Sequence, residues 1–157
     1  MGSPDTGMVD MKLPDQPEQL SILQAVSIHH DFRGYGLMNK LVSSWVRESL
    51  NDNRKYLLAE IETGNIASWK SFLTGGLNIV SMGRDPSDGT VVYNACEKSA
   101  IAAKRQLTPE FNRASKMPEI ACPLEKISEQ KNLFQKGYQA VGYNSERKAL
   151  AFRRLDI

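Results

Sequence analysis

The sequence predicts an α/β protein in which helices flank a mixed sheet. Apolar, β-branched runs alternate with stretches at helical spacing in the order strand, helix, strand, helix, strand, strand. This order predicts a parallel crossover at the front and antiparallel strands behind. A chain of 157 residues, 41% of them hydrophobic and 24% charged, suits one soluble domain. We assign 1–19 to a leader or irregular segment, 20–97 to the core, and 98–157 to a helical segment with a β-hairpin that packs on the core.

The first strand and helix are predicted on either side of a glycine-rich turn. The run "LSILQAVSIHH", Leu20 to His30, is apolar and β-branched and predicts a buried strand. The following stretch, "RGYGLMNKLVSSWVRESL", predicts a helix that ends at "NDN", residues 51–53. Its apolar residues fall at helical spacing: Leu37, Leu41, Val42, Trp45, Val46 and Leu50.

The next elements are a strand, a short helix and a hairpin. The segment "KYLLAEIET" alternates as a strand, with Glu60 and Glu62 on one face and Ile61 on the other. The segment "GNIASWKSFLTGG" predicts a helix capped by Gly75 and Gly76. In "LNIVSMGRDPSDGTVVYNAC", two β-rich runs surround the turn signal "RDPSDG" and predict a hairpin.

The second half predicts helices followed by another hairpin. The segments "EKSAIAAKRQL" and "PEFNRASKM" favour helix, and "CPLEKISEQKNLFQKG" predicts a helix between Pro123 and Gly137. The runs "YQAVGY" and "KALAFRRL" form a predicted hairpin around "NSER". We expect this hairpin to complete the sheet, either within the chain or by exchange in a homodimer. Lys131 to Tyr143 echoes Lys70 to Met82, through similar physical demands or through duplication.

Composition excludes several classes of function. A net charge of +2 and the small basic clusters "AAKRQ" and "FRRLD" give no nucleic-acid footprint and no attraction to an anionic membrane. No apolar stretch approaches the roughly 20 residues of a membrane span, and the opening residues form no secretory signal. Cys96 and Cys122 stand apart, which favours reduced thiols and a cytoplasmic location. We predict no metal site.

The turn "RGYG" is the strongest local signal of a binding site. A strand that turns through Gly34 and Gly36 into a helix presents unpaired backbone N–H groups at the helix N-terminus. Those groups suit a phosphate, the glycines let it approach, and Arg33 adds a positive charge. The turn alone is weak evidence, because similar turns are common. Asn39 breaks the dinucleotide fingerprint, and the chain has no P-loop motif.

A family resemblance strengthens this interpretation. The stretch "VSIHHDFRGYGLMNKLV" resembles the acyl-CoA-binding motif of the GNAT acetyltransferase superfamily, whose pattern is Gln/Arg-x-x-Gly-x-Gly/Ala. The resemblance continues in the next helix, where the family shows Asn, then Ala or Ser, Tyr, Gly and an aromatic or aliphatic residue. The matching positions here are Asn65, Ser68, Phe72, Gly76 and Leu77. The resemblance covers about residues 20–96.

The resemblance implies roles for the residues of both motifs, with acetyl-CoA as the cofactor. The turn from Arg33 to Met38 would hold the CoA pyrophosphate, and the strand Ala25 to His29 would pair with the pantetheine arm. Asn65 and Ser68 would border the same arm. The implied cofactor-binding residues are Ile28, Arg33, Gly34, Tyr35, Gly36, Leu37, Met38, Asn65, Ser68 and Phe72.

Three residues depart from the family pattern. Asp31 replaces Gln or Arg near the expected phosphates, and Met38 replaces a small residue. Phe72 stands where many members have a tyrosine that protonates the leaving thiolate, and phenylalanine has no proton to donate.

The candidate catalytic residues are therefore Glu60, Glu62 and Tyr93. Either glutamate could activate an amine as a general base, although strand carboxylates commonly face solvent. Tyr93 could serve as the acid or be a packed aromatic. His29 and His30 adjoin the phosphate site as titrating groups or as polar loop residues.

The function that follows is CoA-dependent transfer of an acyl group, most simply acetyl, to the primary amine of a small molecule, peptide or protein. The alternatives are a weak or inactive acyl-CoA-binding module and, more remotely, a nucleotide-binding domain. In the family, further strands and helices normally precede the strand that matches Leu20 to His30, and they build much of the acceptor site. The roughly twenty residues before Leu20 have space for one short strand at most, so we expect either that the chain is a fragment of a longer protein or that a partner or the C-terminal half fills the gap. The sequence therefore leaves the acceptor open.

Overall fold

The computed structural model describes residues 17–54, 56–98 and 118–154, and within them it forms one mixed sheet with helices packed against it. Three helices and seven strands occur in this part of the chain. The elements are β1 (Leu20–Leu23), α1 (Leu37–Asn51), β2 (Tyr56–Glu62), α2 (Ile66–Thr74), β3 (Asn78–Arg84), β4 (Val91–Lys98), β5 (Ile120–Pro123), α3 (Ile127–Gln135), β6 (Tyr138–Asn144) and β7 (Ala149–Arg154).

The strand order confirms the predicted α/β class and its mixed sheet. The order across the sheet is β1-β2-β4-β3-β6-β7-β5, and only β1 and β2 run parallel among the described strands. The parallel pair follows from α1, which carries the chain back across the sheet. The β3–β4 hairpin turns where the Asp85 carboxylate accepts hydrogen bonds from the Ser87 amide and hydroxyl.

The first strand is shorter than the sequence predicts. It ends at Leu23, where it makes its last pairing with Ala59 of β2. Two residues later Ala25 has φ +54°, a left-handed conformation that interrupts an extended strand. The chain then leaves the sheet and forms a short 3₁₀-helix, His30–Phe32. Because β2 continues to Glu62, the two strands diverge beyond this point.

Helix α1 is held against the sheet by apolar and polar contacts. Val42 and Val46 are fully buried in the core. The Trp45 indole N–H and the Ser49 hydroxyl each donate to the Ser21 hydroxyl at 2.7 Å, which fixes the helix over β1. These bonds satisfy polar groups that would otherwise be costly to bury.

Helix α2 packs closely on α1. The Asn65 side chain accepts a hydrogen bond from the Ser68 N–H at 3.2 Å and caps the helix N-terminus. Past its last residue, a Cβ added at Gly75 would lie 2.5 Å from Val42 Cγ1. Glycine is therefore required for this close approach of the two helices.

The C-terminal elements join the same sheet and core within one chain. β6 pairs with β3 at Ile79 and Ala140, and the Asn78 amide donates to Gln139 Oε1 at 3.0 Å. Phe152 of β7 is fully buried in the common core. The helix predicted to begin near Pro123 begins instead at Ile127, because residues 120–123 form the edge strand β5. The predicted helices "EKSAIAAKRQL" and "PEFNRASKM" lie outside the described residues, apart from the first two residues of the former, which belong to β4.

Candidate functional site

A cavity of about 720 Å³ lies between the glycine turn and α2. Residues 26–28 and 32–34 form part of its wall, together with residues 36–39 at the start of α1. The α2 side of the wall consists of Asn65, Ala67, Ser68, Lys70, Ser71 and Thr74. The cavity thus brings together two segments that are about 30 positions apart in the sequence.

The turn at the cavity mouth depends on its glycines. Gly34 has φ +84° and Gly36 has φ +71°, both in the left-handed region that favours glycine. Apart from the glycine itself and its two chain neighbours, no heavy atom of the described residues lies within 4 Å of a Cβ added at either position, so both glycines adjoin open space. Gly36 is also the N-cap of α1. The N–H groups of the first helical turn have no acceptor within a helix, and here they adjoin the cavity.

The wall is positively charged. Arg33 and Lys70 line it, and no carboxylate does so in the part of the chain that the structure describes. The Arg33 Nε donates to the Ile28 carbonyl at 3.0 Å, which ties the side chain to the turn. Asp31, which the sequence placed near the expected phosphates, lies outside the wall and contacts His30 Nε2 at 2.9 Å. An anionic ligand therefore meets two cations without an opposing charge in the wall.

His29, His30 and Asp31 form an exposed cluster beside this turn. One potential ligand atom from each lies within 4.8 Å of the others. All three side chains are more than half exposed, and none lines the cavity. We assign no metal to them.

Eight of the ten predicted cofactor-binding residues line the cavity. Those residues are Ile28, Arg33, Gly34, Gly36, Leu37, Met38, Asn65 and Ser68. The other two lie elsewhere: Tyr35 is 72% exposed, and Phe72 is only 3% exposed within the core. Phe72 packs edge-on against Trp45, with ring centroids 6.1 Å apart. Phe72 is therefore a core residue and does not belong to the cavity wall.

The sequence prediction missed the rest of the α2 wall. Ala67, Lys70, Ser71 and Thr74 follow the spacing of one helix face, and this periodicity was available in the sequence. It carried no functional signal because small and polar residues at helical spacing are typical of any solvated helix face.

Glu60 occupies a distinctive place among the three predicted catalytic residues. It follows Ala59, the last β2 residue that pairs with β1, so it lies where the strands diverge. Its Oε2 atom is buried and has no hydrogen-bond partner among the residues that the structure describes. Burial, and secondly the nearby charge of Asp85, raise the pKa of the Glu60 carboxyl above its ordinary value of 4.5. A carboxylate in such surroundings is a better proton acceptor than an exposed one.

The other two catalytic candidates differ sharply from Glu60. Glu62 is exposed at the end of β2. Tyr93 is buried, and its hydroxyl donates to Gln130 Oε1 at 2.6 Å. Burial raises the pKa of Tyr93 to about 12, although the bond to Gln130 acts in the opposite direction. A phenol that is buried and already committed to Gln130 is poorly suited to protonate a leaving group. None of the three residues lines the cavity.

Among the described residues, no helix combines the length and apolar character needed to cross a membrane. Comparison with models of protein families, with curated proteins and with solved structures gave no match for this chain.

Proposed function

We propose that this chain is a CoA-dependent N-acyltransferase that transfers an acetyl group from acetyl-CoA to a primary amine. The observation that carries the proposal is the cavity between the glycine turn and α2. Two separate segments that resemble the GNAT motifs border this one space, and a mixed α/β sheet is compatible with that fold. The positive wall fits a ligand that carries several phosphates.

Different residues of the wall would bind different parts of the ligand. The first-turn N–H groups of α1 and the Arg33 guanidinium would bind the pyrophosphate, as helix N-termini commonly do. Segment 26–28, which has left the sheet, would offer its backbone groups to the amide-bearing pantetheine arm. Because Asn65 Oδ1 caps α2, the Asn65 amide nitrogen is the group that would donate to that arm.

Glu60 would act as the general base. Transfer requires the amine to lose a proton, its nitrogen to bond to the thioester carbonyl carbon, and the carbon–sulfur bond to break. Glu60 would accept the amine proton directly or through a water molecule, and its raised pKa matches that role. Because Tyr93 is buried and Phe72 has no proton to donate, we assign protonation of the departing thiolate to water.

A second candidate function is an acyl-CoA-binding module without rapid turnover. One specific observation favours it: none of Glu60, Glu62 and Tyr93 lines the cavity. Both candidates require CoA binding, and they differ in turnover. Release of free thiol from acetyl-CoA in the presence of a panel of amines separates them. Amine-dependent release supports the enzyme, whereas tight binding without release supports the module.

Calorimetry with CoA, acetyl-CoA and ATP tests whether the chain binds CoA, which both candidate functions require. We expect CoA and acetyl-CoA to bind more tightly than ATP, because ATP lacks the pantetheine arm. Gly36→Val should weaken CoA binding at least about tenfold, since its side chain would enter the open space beside the first-turn N–H groups.

Gly89→Val is the matched control. Gly89 has φ +75°, close to that of Gly36, and also adjoins open space, but it lies in the β3–β4 hairpin. Both variants therefore carry similar backbone strain. If the two variants bind CoA equally well, the glycine turn is not the phosphate site.

A further inference from the structure

The C-terminal half of the described chain repeats the architecture of the preceding half. In the first unit, β2-α2-β3-β4, the last strand pairs antiparallel with both other strands. In the second unit, β5-α3-β6-β7, β7 likewise pairs antiparallel with β5 and β6. The strands β2, β3 and β4 of the first unit correspond to β5, β6 and β7 of the second. The order β2-β4-β3 in one half of the sheet is therefore repeated in reverse, as β6-β7-β5, in the other half.

From the first strand to the third, the two units correspond at an offset of 61 positions, and for the last strand the pairing of Ile79 with Ala95 and of Ala140 with Phe152 gives an offset of 57. Helix Ile66–Thr74 corresponds to Ile127–Gln135 at this offset. The glycines that follow, Gly76 and Gly137, have φ +96° and +83°. The register shift between Ile79 and Ser81 recurs between Ala140 and Gly142.

Side-chain hydrogen bonds follow the same offset. The Trp69 indole N–H donates to the Thr63 carbonyl at 3.0 Å, and the Gln130 amide donates to the Leu124 carbonyl at 3.1 Å. The equivalent residues Ile79 and Ala140 face each other where the units meet. A pseudo-two-fold axis therefore passes between β3 and β6.

A side chain of the second unit contacts α2 of the first unit. Tyr143 of β6 packs edge-on against Trp69, with ring centroids 5.0 Å apart. The Lys70 ammonium lies 5.7 Å from the centroid of the Tyr143 ring, within cation–π range. Lys70 lines the cavity, whereas its counterpart on α3, Lys131, does not.

We infer that the second unit is a copy of the first that serves as a built-in partner, in which Tyr143 positions Lys70 to bind a phosphate of the ligand. This inference rests on the proposed function for the identity of the ligand. Among the described residues no carboxylate forms an ion pair with Lys70, so the aromatic face restrains the ammonium without neutralising it. A carboxylate in the place of Tyr143 would restrain Lys70 equally well and cancel its attraction for an anion.

The test measures the affinity of the whole chain for CoA and for pantetheine, which lacks phosphates. Lys70→Gln should weaken CoA binding about tenfold, the effect expected for one charge-assisted bond. Tyr143→Leu should weaken it about two- to fivefold, in keeping with a partly exposed cation–π contact. Neither change should alter the affinity for pantetheine. The double variant should bind CoA within about twofold of Lys70→Gln, because both changes remove one interaction.

Lys131→Gln is the control at the symmetry-related position, and it should leave CoA affinity unchanged. Suppose that Lys70→Gln and Tyr143→Leu bind CoA as tightly as Lys131→Gln does, while Gly36→Val binds CoA more weakly. The proposed role of the second unit is then refuted, and the proposed function stands. An equal loss of pantetheine and CoA affinity would show that Tyr143 acts only on folding. If the unaltered chain binds no CoA, both proposals fail.

Discussion

At the scale of single residues, the proposed chemistry depends on the surroundings of Glu60. One of its oxygens is buried without a partner, and its pKa is raised. The folded state therefore holds the Glu60 proton more tightly than the unfolded state does. The stability linked to this proton is full below about pH 4.5 and is lost as the pH rises through the raised pKa.

Glu60→Gln should consequently raise stability and abolish transfer. At pH 7 the amide removes a partly buried charge, and we expect the Tm to rise by on the order of 2 °C, with no gain below about pH 4. Thiol release from acetyl-CoA should fall at least about a hundredfold. Glu62→Gln, on the exposed neighbour of the same strand face, should change neither quantity. Full turnover in Glu60→Gln would remove Glu60 from the mechanism.

The sequence predicted the residues of the cavity wall better than the surroundings of the candidate catalytic residues. The Gly34–Gly36 turn could be predicted because local conformation alone sets its geometry. The state of Tyr93 could not be predicted, since its partner Gln130 lies 37 positions away and only the folded sheet brings them together. The same limit applies to Phe72, whose burial against Trp45 depends on the packing of two helices.

At the scale of elements, the contact between α1 and α2 sets the width of the cavity. Gly75→Ala should force the two helices apart, because the new methyl group would lie 2.5 Å from Val42 Cγ1. We expect a loss of about 1–3 kcal/mol in the free energy of unfolding, measured by urea denaturation.

Val42→Ala provides the matched second variant. Alone it should cost stability by leaving a cavity, but combined with Gly75→Ala it makes room for the new methyl group. The double variant should therefore lose less than the two single losses together. Strict additivity would show that the loss in Gly75→Ala does not come from a clash with Val42.

Element boundaries show what periodicity cannot predict. The apolar run Leu20 to His30 was predicted as one strand, but the left-handed turn at Ala25 ends it early. β5 was missed because its four residues end in Pro123, which also suits a helix start. A proline is tolerated there because β5 is an edge strand.

At the scale of the whole molecule, Gln130 links the two units. It is fully buried, accepts from the Tyr93 hydroxyl and donates to the carbonyls of Pro123 and Leu124. Gln130→Leu would leave all three groups without this partner, and we expect a loss of about 2–5 kcal/mol in the free energy of unfolding. Adding Tyr93→Phe removes the hydroxyl that Gln130→Leu leaves without this partner. The double variant should therefore regain part of the lost stability, as measured by thermal unfolding. No restoration would show that the phenol finds another partner.

The registered pairing at Ile79 and Ala140 has a mechanical consequence. Within each unit, neighbouring strands are joined by ladders of several registered pairs, whereas the described β3–β6 contact has this single one. A ladder shares an applied load among its hydrogen bonds, so tension across the sheet would part it first along this line. Backbone pairing is therefore least extensive between the units, and side-chain contacts such as the Tyr93–Gln130 hydrogen bond supply the rest of the connection. The contact between the Lys70 ammonium and the Tyr143 ring crosses the same boundary, so it adds a side-chain link where the backbone ladder is shortest.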